Sequence, residues 1–111
     1  MVKYILTLIL FLFVSCIHAQ DINVKYRGIV NVENGHFIDY PLKTSSLVKA
    51  IYYDESNEYL LVSLNGTFYH YCSIPVQVVN DWVDAPSLGK YYHAKVKGDY
   101  DCRINPTPEY R

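Results

Sequence analysis

Apolar and polar residues change rhythm several times along this chain. Ile5 to Val14 is an apolar run broken only by Thr7, with the single cation Lys3 ahead of it. Such a run is too short to span a bilayer, which takes roughly 20 helical residues. A cation, a short apolar run and a small residue at the end predict a secretory signal over residues 1–19, cut between Ala19 and Gln20. Ser15-Cys16 offers the alternative of a lipoprotein site with Cys16 as the acylated residue, although Phe13 fits that box poorly.

Beyond Gln20 the rhythm becomes that of β-structure. Ile22, Val24 and Tyr26 alternate with polar residues, and Ile29 to Val32 is β-rich. Asn34-Gly35 supplies a two-residue turn before His36 to Tyr40, which predicts an N-terminal β-hairpin extension within residues 20–43. Three strands are predicted next, over Ser45–Tyr53, Glu58–Leu64 and Thr67–Cys72, joined by the polar turn at Asp54–Asn57 and by Asn65-Gly66. Counting outward from a tight Asn65-Gly66 turn pairs Leu64 with Thr67, Val62 with Tyr69 and Leu60 with Tyr71. On the other face it pairs Ser63 with Phe68, Leu61 with His70 and Tyr59 with Cys72. Both faces are partly apolar, so one calls for helices and the other for the N-terminal hairpin or a partner.

The period then lengthens. Val76, Val78, Val79, Trp82 and Val83 fill one arc of a helix over Pro75–Asp84, and Gln77, Asn80, Asp81 and Asp84 fill the other. Ala85-Pro86 ends it, Ser87 can cap a second helix to about Lys97, and Gly98 is a C-terminal stop. Leu88, Tyr92 and Val96 share one face of that helix, and Lys90, His93, Ala94 and Lys97 the opposite face. The prediction is an α+β fold: a three-stranded antiparallel β-meander followed by two helices, with an N-terminal β-hairpin extension. The core domain is expected over residues 44–101, and an irregular tail over residues 102–111.

Composition narrows the choice. The chain has 111 residues, 10 Lys plus Arg, 11 Asp plus Glu and a formal charge of −1. It is too short for a doubly wound enzyme or a (β/α)₈ barrel, too apolar for a disordered tail, and lacks the net charge of a strongly basic nucleic-acid binder. Loss of residues 1–19 would leave 111 − 19 = 92 residues and, without Lys3, a charge of 9 − 11 = −2. Eleven of the 12 Tyr stay with those 92 residues. So do two of the three cysteines, Cys72 and Cys102, and an exported chain is expected to join them.

Taken in order, these pieces resemble the KTSC domain, a small bacterial domain found alone and at the C-terminus of some lysyl-tRNA synthetases. The matching stretch is Ser45 to Tyr100. It includes Tyr69-His70-Tyr71, Ala85-Pro86-Ser87 followed by Gly89, the aromatic pair Tyr91-Tyr92 and a basic residue before Gly98. Tyr26-Arg27-Gly28, Cys72 and Asp101-Cys102-Arg103 are similar to exported members with an N-terminal extension. The resemblance implies no established activity; RNA binding is the suggestion that the synthetase context carries.

The candidate chemistry is that of contact rather than of reaction. Tyr69 and Tyr71 lie two apart on one strand face, and tyrosine rings stack on bases, sugars or peptide groups. The plainer reading packs them against Leu60 and Val62, with their hydroxyls at the rim. Lys90, His93 and Lys97 form a cationic stripe able to hold a phosphate, an acidic glycan, nucleic acid or a lipid headgroup, or simply to face solvent. His70 and Cys72 would form a Cys-His pair only with a free thiol, which a bridge to Cys102 removes. His36, His70 and His93 have no metal-ligand spacing, and Ser45-Ser46 has no nucleophile-elbow context. The expected role is an exported, non-enzymatic binding domain needing no cofactor or metal. Its partner would be an envelope or extracellular protein, a glycan or another polyanion, with nucleic acid as the alternative and a small hydrolase as a remote third.

Overall fold

A computed structural model describes residues 21–33, 35–104 and 107–110. The expected signal cleavage at Ala19-Gln20 and the alternative anchor Cys16 lie outside the described residues. Six strands form one sheet: β1 (Asp21–Val24), β2 (Gly28–Asn31), β3 (Ile38–Asp39), β4 (Val48–Asp54), β5 (Tyr59–Leu64) and β6 (Thr67–Tyr71). Their order is β2-β1-β6-β5-β4-β3, antiparallel throughout except for β1 beside β6. The fold is α+β, with helices α1 (Val76–Asp84) and α2 (Leu88–Tyr91) following the sheet.

β4, β5 and β6 form the predicted meander, now as the centre of a larger sheet. Asn65 at φ 54° and Gly66 at φ 94° make the tight turn, and both positive values favour this residue pair. The register around it is the counted one: Leu64 to Thr67, Ser63 to Phe68, Val62 to Tyr69, Leu61 to His70 and Leu60 to Tyr71. The sixth expected pair, Tyr59 with Cys72, falls beyond the ladder, because the Cys72 amide turns to the Tyr100 carbonyl at 2.9 Å. β4 starts at Val48 rather than Ser45, since the Ser45 hydroxyl accepts from the Leu47 and Val48 amides and holds a turn there. An irregularity between Val48 and Ala50 then returns Val48 to the helix-facing side.

The N-terminal hairpin forms with a different turn. β1 pairs with β2 through Lys25-Tyr26-Arg27, where Tyr26 takes φ 69° and the Arg27 amide bonds the Val24 carbonyl at 3.1 Å. Asn34-Gly35 therefore does not join paired strands: β2 and β3 lie at opposite edges of the sheet. One parallel rung, Val24 beside Phe68, attaches the hairpin to β6, and β3 pairs with β4 at the other edge, so the expected three-stranded sheet grows to six strands.

Two buried clusters follow from the two apolar faces. On one face Ile51, Tyr53, Leu60 and Val62 meet Val79, Trp82, Leu88, Tyr92 and Val96. The Trp82 indole N–H donates to the Leu88 carbonyl at 3.0 Å, and the Tyr53 hydroxyl to the Ile74 carbonyl at 2.6 Å. On the other face Tyr52, Tyr59, Leu61 and Cys72 are covered by Ile22, Val24, Val30 and Val32 from the hairpin side. Pro75 stands at the N-cap position of α1, where its carbonyl accepts from the Val78 amide at 3.0 Å, and the Ser87 hydroxyl accepts from the Lys90 amide to cap α2. The second helix is shorter than expected as an α-helix: after Tyr91 it widens into a π-helical turn over Tyr92–Val96. That turn still buries Tyr92 and Val96 before Gly98 ends it at φ 89°.

Candidate functional site

β6 carries the central tyrosines, and its neighbours decide what they do. Tyr71 faces the helices: its ring meets the Tyr92 ring edge-on and the two hydroxyls share a hydrogen bond of 2.6 Å. Burial, with that bond second, pushes the Tyr71 phenol well above its usual range. Tyr69 packs partly against the same cluster, but its hydroxyl has no partner among the described residues. Both tyrosines are thus partly buried against this cluster, Tyr71 with its hydroxyl bonded to Tyr92.

An open cleft of about 730 Å³ lies beside β6, walled by Tyr26, Tyr69, His70, Tyr71, Asp101 and Arg103 among others. Tyr26 reaches it from the hairpin tip and is 84% exposed, in a left-handed backbone conformation uncommon for a residue with a side chain. The Lys25 ammonium lies 5.3 Å from the Tyr26 ring centre and 5.6 Å from that of Tyr69, bridging the two faces. Opposite them, Asp101 holds Arg103 through a bidentate pair, with Arg103 Nη2 2.7 Å from Asp101 Oδ2 and Nε 3.1 Å from Oδ1. The Arg103 hydrogen bonds, with its charge behind them, hold the Asp101 carboxyl down at about 2. The Cys72–Cys102 disulfide ties this wall to the end of β6.

The cationic stripe is only partly gathered. His93 and Lys97 line a shallower cleft whose far wall is again Tyr69, while Lys90 stands outside both clefts. All three are exposed. Tyr69 is therefore the shared wall of two adjoining clefts.

His70 points to the opposite face. Its Nδ1 shares a 2.9 Å hydrogen bond with the Tyr59 hydroxyl, which also accepts from Arg27 at 3.2 Å. Burial, and then the Arg27 charge, lower the His70 pKa. Arg27 in turn donates to the Pro108 carbonyl at 2.6 Å and stacks near Tyr59 and Tyr110. The Tyr110 hydroxyl donates to buried Asp54 at 2.5 Å, and Asn57 donates to the same oxygen at 2.7 Å. The C-terminal segment is thus strapped across the second cluster. Cys72, held by Cys102, presents no thiolate beside His70. Among the described residues no group of three or more His, Cys, Asp or Glu could hold a metal ion. No helix among them is long and apolar enough to cross a membrane.

Sequence reasoning missed Tyr26, Lys25 and Arg103 as neighbours of Tyr69. They meet only through the parallel rung and the disulfide, and neither contact has a local sequence signal.

The comparisons with known proteins fit this fold. The chain is 32% identical over 66 residues to a lysine–tRNA ligase of Nostoc sp., covering 57% of this chain and 12% of that protein. It thus spans about an eighth of that relative. A crystal structure of a KTSC domain protein from Yersinia pestis superposes with a TM-score of 0.54 at 24% identity, over 59% of this chain and 92% of that one. Residues 44–100 match the KTSC domain family, and this half of the sequence carries the meander, both helices and Tyr69. The chain belongs to the KTSC domain family.

Proposed function

We propose that this chain is an exported, non-enzymatic binding domain whose contact surface is the cleft along β6 centred on Tyr69. The observation that carries the reading is the convergence of Tyr26, Tyr69 and Tyr71 on one open cleft, with Lys25 between two of the rings. Exposed tyrosine faces with a polar rim suit a ligand that has both apolar and hydrogen-bonding parts. Export rests on the Met1–Gln20 pattern and agrees with the Cys72–Cys102 bridge, because such bonds persist in oxidising compartments. The test is recovery of a partner from envelope extract by the wild type, by Tyr69→Ala and by Lys90→Glu/Lys97→Glu. The reading predicts that Tyr69→Ala loses the partner. Equal recovery by Tyr69→Ala contradicts it, and loss with Lys90→Glu/Lys97→Glu alone moves the surface to the stripe.

A polyanion-binding role is the second reading. It is favoured by His93 and Lys97 facing Tyr69 across the shallower cleft, and by the similarity to part of a lysine–tRNA ligase. Filter binding to RNA, DNA and an acidic glycan tests it. Binding that weakens steeply with salt supports this reading, and no salt-sensitive binding ends it.

A further inference from the structure

The edge of β6 has a gap of one rung. Alternate residues of a strand turn their backbone groups to the same side. On β6, Phe68 turns outward to β1, where its carbonyl accepts from the Lys25 amide at 2.8 Å. Four residues on, the Cys72 amide turns the same way to the Tyr100 carbonyl at 2.9 Å. His70 lies midway, so its N–H and C=O face the same edge. Neither has a backbone partner among the described residues. The cleft walled by Tyr26, Tyr69 and Arg103 opens onto this residue.

We infer that this gap receives the C-terminal residue of a peptide, paired as one β-rung with His70. This rests on the cleft being the contact surface. The occupant must offer an N–H and a carbonyl-type oxygen on the same side, as one extended amino-acid residue does. From Phe68 to Cys72 is about 13 Å of strand, and both ends are closed by the Lys25 and Tyr100 bonds. An internal peptide segment would have to pass both of these closures, whereas a chain terminus has to pass only one. A chain terminus ends inside the gap and leaves toward solvent at its other end. In that placement the ligand N–H donates to the His70 carbonyl, and its carboxylate accepts from the His70 N–H. Lys25, held over the Tyr26 and Tyr69 rings, supplies the charge that matches the carboxylate. The side chain of the ligand's last residue lies against those rings. Strand addition with capture of a chain end combines two recognised modes of peptide binding.

The test uses the full mature chain, ¹⁵N-labelled and oxidised. The probe is an octapeptide library with its last three positions randomised, prepared once with free carboxylates and once amidated. The inference expects the free-acid library to shift the His70 amide resonance saturably. It expects the amidated library to bind at least about tenfold more weakly. Lys25→Met should weaken the free-acid library about tenfold without changing the fold. Tyr26→Gly, which removes one wall and suits the positive φ, should also weaken it. The inference is overturned by an unmoved His70 amide up to about 1 mM peptide, by equal binding of the amidated library, or by unchanged affinity of Lys25→Met. A peptide-silent His70 with Tyr69 shifted by glycan or RNA sinks the inference alone. A cleft that no probe touches sinks the underlying reading as well.

Discussion

Removing the disulfide measures what holds the tail and the cleft wall in place. Cys72 and Cys102 are 30 residues apart, with Cα atoms 4.9 Å from each other. Closing a loop of that length in the unfolded chain removes conformational entropy equivalent to about 3.6 kcal/mol at 25 °C. For a domain of this size each kcal/mol moves the melting temperature by roughly 4–8 °C. Cys72→Ala/Cys102→Ala should therefore melt roughly 15–30 °C below the oxidised wild type, followed by circular dichroism. Alanine is the replacement of choice, because Cys72 is 2% exposed and a serine hydroxyl there would add its own cost. The Cys72 amide is also bound to the Tyr100 carbonyl, which anchors the tail without the bridge. A fall of less than about 5 °C would mean that this anchoring suffices, and would refute the entropic reasoning.

Three further outcomes follow from single groups. Tyr110→Phe removes a donor from buried Asp54 and leaves Asn57 on the same oxygen, so urea unfolding should show a loss of about 1–3 kcal/mol. His70 has a lowered pKa, so on acidification the unfolded chain takes up that proton first. Stability should therefore decline as pH falls from the ordinary histidine value of 6.5 through the lower folded value, and His70→Gln should flatten that slope in urea melts at successive pH values. Asp101 is held down at about 2, so its contribution is present above the ordinary carboxylate value of 3.8 and lost as pH falls through 2. Arg103→Ala should raise the Asp101 midpoint toward 3.8 in a carboxyl NMR titration.

The sequence was most legible where partners are close along the chain. Asn65-Gly66 fixes a turn by its positive-φ preference, and the β5–β6 register then follows by counting. Both helices announce themselves through Trp82, Leu88, Tyr92 and Val96 at helical spacing. Asn34-Gly35 misled by the same logic, since a favourable turn pair does not ensure that the flanking strands meet. The true turn hides in Lys25-Tyr26-Arg27, where Tyr26 continues the Ile22/Val24 alternation yet bends with positive φ. Gly28 at φ 109° is its faint signal. Contacts across the whole chain left no local trace: Arg27 with Pro108, Tyr110 with Asp54, Val24 with Phe68. In the candidate site the strand contributed the legible part, Tyr69 and Tyr71. The hairpin and tail contributed the walls that only the fold assembles.

The most direct test of the proposed contact surface places a photo-crosslinking amino acid at single positions of the full chain in living cells. Positions Tyr69 and Tyr26 report on the cleft, and exposed Gln77 on α1 serves as the reference. The account predicts a discrete adduct from Tyr69 and Tyr26 and none from Gln77. Adducts from Gln77 alone, or none from the two cleft positions, would contradict it.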